Sequence, residues 1–416
     1  MTIAFLFKFI GAEIGGSYTF QKNFLDSLLS TESNDQVYIF YFGKLPEQLH
    51  PLKSNFQLIC LDATGNNEHT SQKSFKSIFK KLIPGSFIQL KNKVDKLHRV
   101  AEKNYHYYYN FNNLVQKKVE QLEIDFIHFV HPSYYPVKIP FSITVWDLAH
   151  RRHPYLPEES FMYDNWERKD NFFRMVLPKA SMIVTGTAES KKQIIKYYNC
   201  EEELIQIIPF PIINDIYHAE KADISSIVDV PFIFYPAQFW SQKNHILILL
   251  ALRILKDQEI TIKMIFTGSD QGNYQYIKTK TEELDLTDSI IFTEFVGINE
   301  MKALYQNALF MVFPAIIGPD NLPPIEAMSL DCPVLSGSYD GVHDQLGDAA
   351  IIFNNLDEHD LAEKIKLLLT DESKRKELIA KGKQKIAEVG NFDTYVSSYF
   401  SKLIKYKNII RAWKNI

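Results

Sequence analysis

The stretch LFMVFPAIIGPDNLPPIEAMSLDCPVLSGSYDGVHDQLGD, residues Leu309–Asp348, decides the architecture. Leu309–Phe313 is a short apolar run with the length of a buried strand, and Pro314–Asn321 is a loop. A helix opens with Leu322, Pro323, Pro324, Ile325 and Glu326, ends near Asp331, and is followed by a second buried strand, Pro333–Leu335. Proline is accepted in the first helical turn because its missing N–H has no partner there anyway. The free donors are therefore concentrated on Asp320, Asn321, Leu322 and Ile325. A helix start behind a strand attracts anions, since unpaired amides and the helix dipole both face the ligand. Glu326 stands one turn in, where its carboxylate can accept from a neutral diol such as that of a ribose. Phosphate on the amides and hydroxyls on the carboxylate suit a nucleotide sugar. A plainer role fits equally well, in which Glu326 only complements the helix dipole, and these residues alone do not choose between the two.

Working outward, the alternation continues in both directions. Thr2–Phe7 reads as a buried strand, Gly11 to Gly16 as a loop, and Ser17–Leu29 as a helix with Phe20, Phe24, Leu25 and Leu28 on one face. Strands follow at Val37–Tyr41, Phe56–Leu61, Asp125–Val130, Phe141–Trp146, Ala180–Thr185 and Ile205–Pro211. Asn214–Asp229 is polar and poorly periodic, a linker. Strands resume at Phe232–Tyr235, Ile262–Phe266 and Ile290–Phe295, and the chain closes on amphipathic helices at Leu361–Leu369, Lys374–Ala387 and Phe392–Lys405. Strands that alternate with helices predict an α/β protein with parallel sheets. The 416 residues allow two to three domains.

Composition narrows the function. A net charge of −4 gives no general attraction to nucleic acid, and no nucleic-acid partner is expected. Cys60, Cys200 and Cys332 are far apart and odd in number, so they make neither a zinc site nor a disulfide framework, as in a reducing cytosol. Met1–Ile10 is too short and too quickly followed by Glu13 to be a signal peptide, and no apolar run of 18 residues exists. Between 73 and 103, nine basic groups face two acidic ones, Asp95 and Glu102, among apolar residues such as Phe75, Ile78 and Leu82. That pattern suits a surface lying on anionic lipid. It suits a solvated helical face slightly better.

Three further groups are candidates for chemistry. In an open parallel sheet the carboxyl ends of the strands line the ligand crevice. Phe141–Trp146 ends in Asp147, with His150, Arg151, Arg152 and His153 close behind. Arg151 or Arg152 can pair with a phosphate, and His150 can bond a sugar hydroxyl or a developing charge. The alternative is that Asp147 caps a turn and the others are solvated. The Gly15-Gly16 pair lets a backbone approach a ligand, although a glycine pair is more often a turn. Lys243, ahead of the helix Ile246–Leu255, can meet a phosphate as a point charge, or can be an ordinary surface lysine.

Asn321-Leu322-Pro323-Pro324-Ile325-Glu326-Ala327-Met328 with Cys332-Pro333-Val334 resembles the donor signature of the retaining GT-B glycosyltransferases of the large family four. The likeness runs through most of the chain, strongest over 232–353 and weak over 62–124. It implies a GT-B fold, with two Rossmann-like domains whose parallel sheets face a cleft. The expected domains are an acceptor-binding one over 1–222, with a last helix of about 392–416 packed back on it, and a donor-binding one over 223–391. It implies that Glu326 holds the ribose hydroxyls, that Lys243-Asn244 meets the diphosphate, and that backbone at Phe295 and Gly268 borders the nucleotide. The Gly15-Gly16 loop would face the donor phosphates and the acceptor. The family carries a second glutamate eight residues before the first-turn one, against the donor hexose, where this chain has Gly318. It carries an arginine five residues before the lysine, where this chain has Gln238, and a histidine before the aspartate, where this chain has Trp146. Asp320 or backbone is then expected to touch the sugar, Arg151 or Arg152 to supply the missing cation, and His150 to replace the histidine beside Asp147. The Gly-Pro-Asp-Asn loop is similar to the form of a branch that builds bacterial surface polysaccharides. The implied activity is transfer of a hexose or deoxyhexose, GDP-mannose first, from a nucleotide-diphosphate sugar to a glycan or lipid-linked acceptor, in lipopolysaccharide or capsule synthesis. It needs no metal and no cofactor, and it belongs in the bacterial cytoplasm at the inner face of the plasma membrane. The alternatives are a non-catalytic GT-B partner subunit and a nucleotide-sugar epimerase on the same fold.

Overall fold

The computed structural model describes residues 1–9, 16–46, 49–62, 114–160, 166–211, 214–294 and 296–412. Seven strands, β1 (Thr2–Phe9), β2 (Gln36–Gly43), β3 (Phe56–Cys60), β4 (Phe126–Phe129), β5 (Phe141–Thr144), β6 (Met182–Thr185) and β7 (Ile205–Ile207), form the first sheet. Six more, β8 (Phe232–Pro236), β9 (Lys263–Thr267), β10 (Ile290–Thr293), β11 (Met311–Phe313), β12 (Val334–Gly337) and β13 (Ala350–Phe353), form the second. The orders are β3-β2-β1-β4-β5-β6-β7 and β10-β9-β8-β11-β12-β13, and the paired strands run parallel throughout. In each sheet the order reverses beside the first strand, β1 or β8, which is the doubly wound arrangement. The unbroken apolar runs follow from it: helices cover both faces of a parallel sheet, so Ile3 to Phe7 are all fully buried.

The helix Phe392–Arg411 returns to the first sheet. Tyr395, Tyr399 and Leu403 enter the same core as Phe5 and Phe24. The Tyr399 hydroxyl lies 2.8 Å from Ser142 Oγ, and Ser27 donates to Asp393 at 2.6 Å. Its start is capped by Asn391, whose side chain accepts from the Thr394 amide at 3.0 Å.

Several boundaries differ from the sequence reading. β11 and β7 are shorter than expected, the helix after the loop stops at Ser329, and β13 is a strand that the sequence reading missed. The linker holds a short helix, Asn214–His218. The basic 73–103 segment, Gly15 and Phe295 lie outside the described residues. No described helix is long and apolar enough to cross a membrane.

Candidate functional site

A cleft of about 450 Å³ lies between the sheets. From the first come Gly16 and Ser17 after β1, Trp146 and Asp147 after β5, and Phe210 after β7. From the second come Gln238 and Lys243 after β8, Gly268 and Ser269 after β9, and Asp320 to Pro323 and Glu326 after β11. All of these follow strand carboxyl ends, so the crossovers of two parallel sheets bring them to one crevice.

Two groups define its chemistry. Lys243 follows a short turn, Ser241–Lys243, and its ammonium sits 5.3 Å over the Phe313 ring. It has no carboxylate within ion-pair distance among the described residues. Burial lowers its pKa to about 8, against the opposing pull of Asp147 and Glu158. Glu326 accepts a hydrogen bond from the Tyr305 hydroxyl at 3.1 Å. Burial pushes its pKa up to about 7, while the tyrosine bond works the other way. A cation without a partner and a desolvated carboxylate on one wall are each less stable than in water, and a ligand bearing anionic and hydroxyl groups relieves both.

The loop before the helix is not as open as the sequence suggests. The Asn321 amide is taken by Gln345 Oε1 at 3.2 Å, and Gln345 Nε2 donates to the Asn321 carbonyl at 2.7 Å. Among the described residues the Asp320 and Leu322 amides have no acceptor outside the helix, so Asn321 drops out of the expected anion site while those two remain. Asp320 accepts from the Ser190 hydroxyl of the first domain at 3.2 Å. Its carboxyl is so close to Gly186 that a Cβ there would meet Oδ1 at 2.4 Å. Burial, with Asp147 and Asp344 nearby, raises the pKa of Asp320 to about 8, against the Ser190 bond.

Gly318 does not reach the cleft. A Cβ at 318 would meet the Asp340 carbonyl and the Tyr339 ring at 2.4 Å, so this glycine is a packing residue and not a donor contact. Gln238 does line the cleft, but it is a neutral bridge: Nε2 donates to Ser269 Oγ at 3.1 Å and Oε1 accepts from Trp240 Nε1 at 3.0 Å. Gly268 is required by close approach to the Ala237 carbonyl, which a Cβ would meet at 2.3 Å.

The group after β5 divides. Asp147 is exposed in the cleft and its Oδ1 caps the turn by accepting from the Ala149 amide at 2.9 Å. His150, Arg151 and Arg152 point elsewhere, which corrects the expectation for each. His150 is 1% exposed, stacks on Phe173 at 5.7 Å and pairs with the Tyr198 hydroxyl at 2.9 Å; burial lowers its pKa to about 4. Arg151 is turned into the first domain, 2.6 Å from Asp170 and 5.0 Å over the Trp166 ring. Arg152 crosses to the second domain and grips Asp340 with two hydrogen bonds, one of them 2.6 Å from Nη2 to Oδ1. A four-residue helix, Ala149–Arg152, turns these side chains away from the strand end. Asn244 is also corrected: it is buried at a left-handed turn, φ 54°, and its amide donates to the Asn355 and Pro314 carbonyls. Asn suits that conformation better than most residues.

The sequence reading missed the ties between domains. Besides Arg152–Asp340 and Ser190–Asp320, the Glu189 amide donates to Asp344 at 3.1 Å and the Gln242 amide to Glu158 at 3.0 Å. Ala149 and Leu156 meet Ile317 in a small apolar cluster. Trp240, Thr267 and Met301 also line the cleft. They carry no local sequence signal, because long-range topology alone brings them there.

Two doubly wound domains with their strand ends on one cleft make a GT-B architecture. Solved structures agree on the fold. Sucrose-phosphate synthase from Thermosynechococcus elongatus superposes with TM-score 0.70 at 15% identity, over 99% of each chain. WaaG, a glycosyltransferase involved in lipopolysaccharide biosynthesis, gives 0.64 at 15% identity, over 95% of this chain and 98% of WaaG. Residues 218–385 match the family of glycosyl transferases group 1. The O-antigen chain mannosyltransferase RfbU of Salmonella typhimurium is 24% identical over 217 residues, 52% of this chain and 57% of RfbU. The serotype-specific mannosyltransferase WbdA of Escherichia coli is 25% identical over 273 residues, 60% of this chain and 32% of WbdA. The matches thus span little more than half of the first relative and a third of the second.

Proposed function

We propose that the protein is a retaining glycosyltransferase that moves a hexose or deoxyhexose from a nucleoside-diphosphate sugar to a hydroxyl of a glycan or lipid-linked acceptor. The observation that carries this reading is the pairing of Lys243 and Glu326 on one cleft wall, the first without a carboxylate partner among the described residues and the second desolvated. Glu326 would accept from the ribose hydroxyls. Lys243 and the Asp320 and Leu322 amides would take the diphosphate, whose charge grows as the sugar bond breaks. Asp147, exposed across the cleft from Lys243, is the carboxylate placed to orient the acceptor or the sugar. His150, Arg151 and Arg152 have no part in the chemistry. The ties between the domains would shield the donor from water.

The names of RfbU and WbdA favour a mannose donor and an acceptor in O-antigen assembly. A GDP-sugar is the first choice, and the cytoplasmic face of the membrane is where such an acceptor would be met. The test is a thermal-shift panel of UDP, GDP, dTDP and CMP, followed by turnover of the matching sugars. Selective stabilisation by one diphosphate, of about 2.7 kcal/mol at one hundred times its Kd, supports the reading. No shift with any nucleotide, in a protein that melts cooperatively, overturns it.

A further inference from the structure

Beside the cleft, the ends of three adjacent strands carry polar groups that the transfer reaction leaves unused. Leu6 of β1 is in register with Phe129 of β4, and Phe129 with Ile143 of β5. Lys8 lies near the end of β1 and His131 just beyond β4, near enough for the Lys8 charge to act on the imidazole, and Trp146 follows β5. The His131 and Trp146 rings meet edge to face at 5.0 Å. Three polar atoms here are covered and have no hydrogen-bond partner among the described residues: Trp146 Nε1, His131 Nδ1 and Ser133 Oγ. A buried donor left unpaired is destabilising, and an indole N–H can only donate.

Lys8 makes the cluster cationic. It is partly buried, and among the described residues no carboxylate lies within ion-pair distance of its ammonium. Burial lowers its pKa, and the nearby Arg168 lowers it further. Its backbone amide is held by Gln21 Oε1 at 2.7 Å, which fixes the strand end. Asp147, which follows Trp146 in the chain, accepts from the Ala149 amide. The charge that Lys8 and the indole lack is a negative one, and Trp146 opens directly onto the cleft.

We propose that the ends of β1, β4 and β5 form an oxyanion subsite on the first-domain wall, which takes a phosphate or carboxylate group carried by the acceptor. The Lys8 ammonium supplies the charge and the Trp146 indole the directed hydrogen bond. The subsite rests on the glycosyl-transfer reading for its purpose but not for its detection, since a free anion binds without donor or turnover. It selects acceptors by an anionic group set apart from the hydroxyl that reacts.

The experiment titrates the full chain with inorganic phosphate and, separately, with methyl glucuronide, and follows indole fluorescence. The Trp146→Phe variant identifies the signal. Saturable binding is expected, weakened about tenfold or more in Lys8→Gln and within about threefold of wild type in Lys8→Arg. Lys243→Met removes any phosphate held at the donor wall and should leave the Lys8-dependent indole signal in place. Preference for phosphate assigns a phosphate-bearing acceptor, and preference for the glucuronide an acidic sugar. Binding lost in Lys243→Met but kept in Lys8→Gln overturns the proposal, because the anion then occupies the donor wall. So does the absence of saturable binding by either probe up to about 50 mM, well above the few-millimolar range expected for a single charged contact. Melting curves confirm that each variant is folded. Nucleotide shifts, measured in parallel, separate failure of this subsite from failure of the transfer reading.

Discussion

Replacing Glu326 by glutamine should stabilise the empty protein and impair it as a nucleotide binder. The carboxyl has an ordinary pKa of 4.5 and is raised by burial to about 7. Each unit is about 1.4 kcal/mol, so the ionised side chain costs the folded state on the order of 3 kcal/mol. The sign follows from the unfolded chain, which holds fewer protons at this group between those two values. The cost grows as pH rises from 4.5 and is complete above about 7. Glutamine carries no such cost. Glu326→Gln should therefore melt several degrees higher than wild type at pH 8, and the gap should close towards pH 5. Nucleotide binding should move the other way. Losing a charged acceptor for two hydroxyls weakens binding by about 1.5–3 kcal/mol, or roughly 10- to 100-fold. Wild-type affinity should also fall about tenfold from pH 8 to pH 6, as the carboxylate takes up a proton, over and above any trend shared by the variant. Calorimetric titration with UDP and GDP at both pH values, beside thermal melts, reads both effects. A variant no more stable than wild type at pH 8, or one that binds nucleotide equally well, refutes the reasoning.

Four other outcomes are expected. Lys243→Met should weaken diphosphate binding about 10- to 100-fold while leaving the nucleoside alone unaffected, because it removes one charge-assisted contact; equilibrium binding of UDP against uridine, and of GDP against guanosine, reads this. Arg152→Ala should lower kcat/KM less than about tenfold, since a half-exposed ion pair contributes about 1 kcal/mol; a loss beyond a hundredfold would restore it to the chemistry. Gly318→Glu, which restores the family's acid, should destabilise by about 2–4 kcal/mol and not widen sugar use, since its Cβ would strike Asp340 and Tyr339; urea melts and a donor screen decide. Acid should destabilise the protein early: burial lowers the pKa of His128 and His245 to about 3 and of His131 and His150 to about 4. Stability present above pH 6.5 is then lost as pH falls towards 4, by up to about 1.4 kcal/mol per unit for each neutral histidine that must charge; urea midpoints at pH 7.5 and 5.5 measure it.

The sheets were legible because parallel strands buried on both faces leave continuous apolar runs, as in Ile3–Phe7 and Phe232–Tyr235. Lys243 and Glu326 were legible too, since each stands a fixed few residues beyond a strand end. In the group after β5, Asp147 reaches the cleft as expected, whereas His150, Arg151 and Arg152 do not. Proximity to a strand end says nothing about which way a one-turn helix rotates its side chains, and His150 and Arg151 were turned inward to Tyr198 and Asp170. Gly318 was read as a lost contact, whereas it answers to Tyr339 and Asp340, some twenty residues further on. Ser190–Asp320 and Arg152–Asp340 join positions so distant in the chain that no local pattern marks them.

The helix Phe392–Arg411 has a consequence for how the protein is made. Tyr395, Tyr399 and Leu403 complete the aromatic core that Phe5, Phe7 and Phe24 begin. During synthesis the ribosome finishes β7 and then builds the whole second domain before these side chains emerge. At about 5–20 residues per second, that interval is roughly 10–40 s. Over it the first domain waits with one apolar face uncovered, so the nascent chain is an expected client of chaperones, and the half synthesised first is completed last.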